Sequence, residues 1–129
     1  MRLDWKNGAL AKGLRCYEQQ EFFAAHEHWE SVWLTCEQPQ KSFLQALIQL
    51  TSAFHHQQKE NLTGTRSLLK RASQKLNTFP TCFEQIDVAE LRSGVANWLR
   101  ALEASTTKRF PSYPPIRVIH TVGQSEKMD

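Results

Sequence analysis

The sequence predicts an all-α protein: a single-domain bundle of about five helices, with a central buried helical hairpin and an extended, proline-rich C-terminal tail. Three kinds of observation support this fold class. Apolar residues recur at helical spacing in five segments. Helix-capping residues precede two of these segments, and prolines or short polar loops separate several of them. We expect residues 1–107 to form the helical domain and residues 108–129 to form the tail.

The composition is that of an ordinary globular domain. The chain has 129 residues, of which 40% are hydrophobic and 22% charged, enough for one domain with its own core. The formal net charge of +3 is mild and does not indicate a nucleic-acid partner. No uncharged run is long enough to cross a bilayer, and no apolar run follows the N-terminal charges. We therefore expect a cytoplasmic protein that has no signal peptide and no membrane partner.

The three cysteines do not predict a disulfide framework. Cys16, Cys36 and Cys82 lie far apart, and none belongs to a CxxC motif. An odd number of cysteines at irregular spacing is typical of reduced thiols and excludes a zinc ribbon.

The first two predicted helices follow one another closely. The first covers roughly residues 8–19 and the second about residues 21–36, with a break near Gln20. The local sequence around Gln20 is good helix-forming sequence, so it would also allow one long helix. Pro39 is expected to stop the second helix, because proline lacks an amide donor and disfavours helix in the residue before it.

The third predicted helix, about residues 42–59, is expected at the centre of the bundle. Its apolar residues point in nearly all directions, which is typical of a buried helix. The short connection that precedes it implies that the second and third helices are antiparallel neighbours. Gln45, Gln49, Ser52 and His56 nevertheless recur at i, i+4, i+7 and i+11, and so form one polar stripe along this helix.

The fourth predicted helix, about residues 62–77, begins after Asn61, which is a plausible N-cap. Its outer face is basic, and we interpret this face as solvated. No aromatic residues interleave with the basic ones, so RNA binding is not indicated. The basic residues are Arg66, Lys70, Arg71 and Lys75.

The fifth predicted helix has the strongest local start signal. Asp87 and Glu90 match a capping box, and the amphipathic repeat that follows should end near Ala104. A loop over residues 78–81 precedes it. From residue 108 onward the prolines exclude helix, and we expect an extended tail. Ile116 and its apolar neighbours are expected to dock onto the core or onto a second copy of the chain.

The candidate site begins with a motif in the second helix. His26, Glu30 and Trp33 stand at i, i+4 and i+7 and therefore share one helical stripe. The apolar residues of this helix mark the same broad face. A histidine and a glutamate are thus predicted where the core should lie, which costs free energy unless each finds a partner.

The predicted hairpin brings this motif to the polar stripe of the third helix. With a turn near Pro39, Glu30 falls opposite Gln49, and His26 falls within one turn of His56. Of the adjacent pair, His56 is expected to face the seam and His55 to face helix four or solvent, since both cannot point the same way. The residues expected to converge in a buried polar seam, with Trp33 beside them, are His26, Glu30, Gln45, Gln49 and His56.

Several functions fit such a seam. Three interpretations of the seam are open. The seam is a structural hydrogen-bonded network that fixes helix register, a divalent-metal site, or a metal-free pocket for a small ligand. For a metal, the candidate ligands are His26, Glu30 and His56, because two imidazoles and a carboxylate suit a first-row divalent ion. For a small ligand, Glu30 would act as base or polar anchor and Trp33 as a wall. A zincin is excluded, because Glu30 stands where the HExxH motif requires its second histidine.

A second class of function is also open. The chain is alternatively a helical protein–protein interaction module or a homo-oligomer, with a purely structural seam and with the tail or the basic helix as contact surface. No reaction or substrate follows from the residues, so enzyme activity is left open.

Four blocks of the sequence carry a family resemblance: residues 23–33, residues 43–50, the pair His55 and His56, and residues 61–64. Together they resemble the bacterial and archaeal family known only as domain of unknown function 309, over about residues 17–76. The hallmark of that family is a His-x-x-x-Glu-x-x-Trp/Tyr pattern, met here by His26, Glu30 and Trp33. The resemblance implies a small all-helical protein with a functional, candidate metal-binding motif of unknown reaction.

Overall fold

The computed structural model describes residues 2–104 and 109–119 and confirms the all-α bundle. Within these residues five helices enclose one core, and a very short β-hairpin precedes the last helix. The elements are α1 (Gly8–Glu18), α2 (Phe22–Trp33), α3 (Gln40–Gln58), α4 (Leu62–Leu76), β1 (Cys82–Phe83), β2 (Ile86–Asp87) and α5 (Val88–Glu103).

The central position predicted for α3 is confirmed. Helices α2 and α4 pack on either side of α3, while α1 packs against α2 and α5 against α4. One broad face of α3 is completely buried, from Phe43 to Phe54. The polar stripe runs along the opposite, partly exposed side of the helix, so it does not enter the core.

The predicted break near Gln20 is confirmed, and its cause is a Schellman motif. The amide of Glu21 donates to the carbonyl of Cys16 at 2.8 Å, and the amide of Gln20 donates to that of Tyr17 at 2.9 Å. Gln20 itself is left-handed, with φ 64°. This conformation normally selects glycine, which explains why the glutamine gave no clear sequence signal.

The predicted end of the second helix was wrong. Helix α2 stops at Trp33, three residues before the predicted end, because the chain tightens into i→i−3 hydrogen bonds. The amide of Thr35 donates to Val32 at 3.1 Å, and that of Cys36 donates to Trp33 at 3.2 Å. Pro39 therefore does not stop this helix but is the N-cap of α3.

The capping signals of the last two helices are confirmed in part. The Asn61 side chain accepts from the Gly64 amide and starts α4, and the Asp87 side chain accepts from the Glu90 amide and starts α5. The Glu90 carboxylate does not complete the capping box. It pairs instead with the Arg117 guanidinium of the tail at 2.9 Å.

The hairpin of β1 and β2 was not predicted. Its two connecting residues, Glu84 and Gln85, have φ values of 49° and 67°. Two-residue hairpins require such values and usually contain Asn-Gly or Asp-Gly there. Neither residue gives that signal, so the sequence did not predict a hairpin here.

The tail is extended over residues 109–119 and docks onto its own chain. The Tyr17 hydroxyl donates to the carbonyl of Pro114 at 2.6 Å, and the Trp98 indole donates to that of Ser112 at 3.0 Å. Val118 forms an antiparallel bridge with Ile86, and Ile116 is only 4% exposed. The predicted start of the tail at residue 108 lies outside the described residues.

Candidate functional site

A small cavity lies between the first turns of α2 and the last turns of α3. Its volume is about 180 Å³. We call it the histidine cavity, because three of its five lining residues are histidines. The lining residues are Phe23, His26, Ser52, His55 and His56.

Helix α2 places His26 at the border between the core and the cavity. The buried residues of this helix are Phe22, Ala25 and Trp29, which share one face. Each residue turns an α-helix by about 100°, so His26 lies beside that face and not within it. Its Nδ1 is buried and has no hydrogen-bond partner among the described residues. A buried polar atom of this kind indicates a position where a ligand group can donate or accept.

An aromatic ring lines one side of the cavity. Phe23 is 52% exposed, yet its ring stacks on the His26 imidazole with centroids 6.0 Å apart. The same ring lies 5.3 Å from that of His55. Phe23 therefore shields two imidazoles from water on one side.

The orientation of His56 is fixed by the start of α4. The Nδ2 of Asn61 lies 3.1 Å from the Nδ1 of His56, while the Oδ1 of Asn61 accepts from the Gly64 amide. Because the amide nitrogen can only donate, the Nδ1 of His56 accepts, and its Nε2 carries the proton. A Cβ on Gly64 would lie 2.8 Å from Asn61 Nδ2 and 3.3 Å from His56 Cγ, so glycine permits this close approach.

His55 prefers the neutral state. Burial lowers the pKa of His55 below its ordinary value, and Coulomb interactions with Lys59, His56 and His26 lower it further. The cavity at neutral pH therefore presents a neutral imidazole next to an Nε2–H donor and a serine hydroxyl.

The prediction that Glu30 enters the seam was wrong. Glu30 is exposed, because it directly follows Trp29 and is turned about 100° from that fully buried indole towards solvent. Exposure to solvent also costs less free energy than burial for a carboxylate without a partner. Of the predicted seam, only His26 and His56 line the histidine cavity.

The other predicted seam residues lie elsewhere on the same two helices. Trp33 is partly buried, and the Lys41 ammonium lies 4.5 Å from the centroid of its ring. Gln49 lines a separate groove between α3 and α4, and Gln45 is partly buried without lining either space. Trp33 Nε1 and Gln49 Oε1 are buried without a partner among the described residues, so the predicted hydrogen-bonded network does not form there.

The predicted metal ligands do not come together. In residues 2–104 and 109–119, no three His, Cys, Asp or Glu side chains are arranged to hold a metal ion. The set of His26, Glu30 and His56 fails because its carboxylate points to solvent.

Three cavity residues were not predicted as site residues. Ser52 was assigned to the polar stripe only, Phe23 to the apolar face, and His55 to helix four or solvent. His55 and His56 both reach the cavity, although they are adjacent in sequence. The signal that could have found them is the spacing from Ser52, since residues at i+3 and i+4 both lie beside residue i on a helix.

Comparison with known proteins gives a family match. No curated protein matches the chain. The model of a protein family, the domain of unknown function DUF309, matches residues 10–68, which run from α1 into α4. Among the described residues, no helix is long and apolar enough to cross a membrane. The match confirms the resemblance to the DUF309 family over residues 10–68, the segment that contains every residue lining the histidine cavity.

Proposed function

We propose that the histidine cavity binds a small carboxylate or a similar small oxyanion. The observation that carries this proposal is the donor set: three imidazoles and one hydroxyl surround the cavity, and no carboxylate is among its lining residues. Such a site lacks negative charge, and a bound anion supplies it.

Binding of an anion in the cavity should be coupled to protonation of His55. His55 resists protonation because its surroundings are partly desolvated and positive. A carboxylate in the cavity would reverse the Coulomb contribution and favour the imidazolium form. Ser52 and the Nε2–H of His56 provide further donors for the second carboxylate oxygen.

The size of the cavity limits the ligand. A water molecule occupies about 30 Å³ of liquid, so 180 Å³ corresponds to roughly six waters. Pockets for drug-sized ligands have about 300–1,000 Å³. The proposed ligand therefore has the size of acetate or lactate and not that of a nucleotide.

A purely structural seam is the alternative. A structural network would pair its buried polar atoms, as most native proteins do. One atom of the cavity's lining residues, His26 Nδ1, is buried and lacks a partner among the described residues. This supports a ligand site over a closed network.

The proposal is tested by titrating the protein with acetate and, as a control of the same shape without charge, with acetamide. We expect saturable acetate binding, and a rise of about one unit in the NMR-measured pKa of His55 if acetate prefers the imidazolium form tenfold. Acetamide should not change that pKa. His55→Gln should abolish saturable acetate binding, whereas His28→Gln, on the same hairpin but outside the cavity, should retain it.

Two results would contradict the proposal. One is an identical response to acetate and acetamide. The other is a loss of acetate binding in His28→Gln as large as that in His55→Gln.

A further inference from the structure

A second polar groove lies between α3 and α4, away from the histidine cavity. Its volume is about 390 Å³. We call it the α3–α4 groove, and all six of its lining side chains are polar or cationic. They are Ser42, Gln49, Arg71, Gln74, Lys75 and Thr78.

The two cations of this groove are not neutralised within the described chain. Arg71 and Lys75 stand one turn apart on α4, and no acidic residue lines the groove. The ion pair found among the described residues joins Arg117 to Glu90, which are in the tail and α5. The sequence predicted that this basic face is simply solvated. Two of its cations, Arg71 and Lys75, instead line a groove.

Helix electrostatics explain only one of the two cations. Lys75 lies in the last turn of α4, where a positive charge stabilises the negative end of the helix. That effect is confined to the last turn, and Arg71 lies before it. The exposed guanidinium of Arg71 is suited to phosphate recognition, because its planar donors match two phosphate oxygens.

The opposite wall of the groove favours a ligand that also carries a hydroxyl. Gln49 lines the groove from α3, and its Oε1 is buried without a donor among the described residues. The Gln49 amide carries both donors and an acceptor, so it is suited to a hydrogen bond with a sugar hydroxyl in the groove. The volume of 390 Å³ corresponds to roughly thirteen waters, enough for a phosphate group and a pentose.

We propose that the α3–α4 groove binds a small phosphate monoester of sugar-phosphate type, with Arg71 and Lys75 on the phosphate and Gln49 on a hydroxyl. This inference does not depend on the carboxylate proposal, since the two sites share no lining residue.

The test uses the full chain at constant ionic strength, with ribose 5-phosphate, inorganic phosphate and ribose as probes. We expect ribose 5-phosphate to bind more tightly than inorganic phosphate, and ribose not to bind. In NMR titrations the amides of Ser42, Gln49 and residues 71–78 should shift. This map in the unmodified protein decides the location even if a variant fails to fold.

A charge-matched pair of variants tests specificity. Arg71→Gln with Lys75→Gln removes two charges from the groove, and we expect it to weaken ribose 5-phosphate binding at least about tenfold. Lys12→Gln with Lys70→Gln removes two exposed charges outside the groove and should leave that affinity unchanged. His55→Gln should also leave it unchanged, which separates this site from the histidine cavity.

The proposal fails if both double variants lose ribose 5-phosphate affinity equally, because that pattern indicates non-specific attraction to net charge. It also fails if the shifted amides lie outside the groove. A thymidine oligonucleotide distinguishes the other source of phosphate groups. If it binds more tightly than ribose 5-phosphate and depends on Arg71 and Lys75, the groove is a nucleic-acid surface and the sugar-phosphate proposal is wrong.

Discussion

At the scale of single residues, His55 couples the candidate site to folding. Burial, Lys59 and the two neighbouring histidines hold its folded-state pKa below the ordinary value of 6.5. Near and below pH 6.5 the unfolded chain therefore binds more protons at this position than the folded chain does. Protonation of His55 therefore lowers the free energy of unfolding as the solution becomes acidic.

We predict that this coupling is measurable. The free energy of unfolding should fall as pH decreases through 6.5, and the contribution of His55 should level off below its folded-state pKa. In His55→Gln the same curve should be flatter, because the substituted residue does not titrate. Urea unfolding of both proteins across a pH series that brackets 6.5 provides the measurement. Parallel curves for the two proteins would show that His55 is not responsible.

Residue by residue, the motif was only partly predictable. Spacing placed His26 and His56 correctly on facing helices, because the hairpin count depends only on chain length between them. Spacing also placed Glu30 inside, since it shares a stripe with His26. The actual orientation of α2 is set by Trp29, whose indole donates to the Leu10 carbonyl of α1 at 3.1 Å. That contact between distant residues is not visible in local sequence.

At the scale of elements, Asn61 joins two helices and one site residue. Its backbone amide donates to the His56 carbonyl at 2.8 Å and closes the Schellman motif of α3. Its side chain caps α4 and holds the His56 ring. The geometry of the histidine cavity therefore depends on the same residue that starts the next helix.

We predict different effects for two substitutions at this position. Asn61→Ala removes the cap and should lower the free energy of unfolding by about 1 kcal/mol. Asn61→Asp keeps an acceptor for the Gly64 amide but replaces the donor that faces His56. Stability should then be largely retained, while the proton on His56 moves from Nε2 to Nδ1.

Chemical denaturation measures the first effect, and ¹⁵N shifts of the imidazole measure the second. An unchanged imidazole tautomer in Asn61→Asp would contradict the hydrogen-bond assignment. An equal loss of stability in both variants would contradict the capping role.

The elements themselves were the most predictable level, because apolar spacing and caps act within one helix. Asn61 and Asp87 marked the starts of α4 and α5 at the observed residues. A helix end without a sequence signal was missed, namely the end of α2 at Trp33. The hairpin was also missed, because its turn residues, Glu84 and Gln85, are uncommon at positive φ. The side of α3 that faces solvent depends on where α2 and α4 pack, which no local pattern specifies.

At the scale of the whole molecule, the tail connects helices that are distant in sequence. Tyr113 completes an aromatic cluster between α2, α3 and α5, with its ring centroid 4.8 Å from Phe22, 4.9 Å from Phe54 and 5.5 Å from Trp98. Its hydroxyl also donates to Gln57 at 2.6 Å. The tail thus contributes to the same core that supports the N-terminal half of α2, where His26 lies.

Ile116 offers the sharpest test of docking in cis. It is 4% exposed and belongs to the core cluster, so Ile116→Ala should lower the free energy of unfolding by about 2–4 kcal/mol. The neighbouring Arg117 is exposed and pairs with Glu90 at the surface, so Arg117→Ala should lower the free energy of unfolding by less.

If the tail docks on its own chain, the unfolding midpoint of both variants and of the unmodified protein should not depend on protein concentration. A midpoint that rises with concentration in the unmodified protein but not in Ile116→Ala would instead mean that the tail docks onto a second copy.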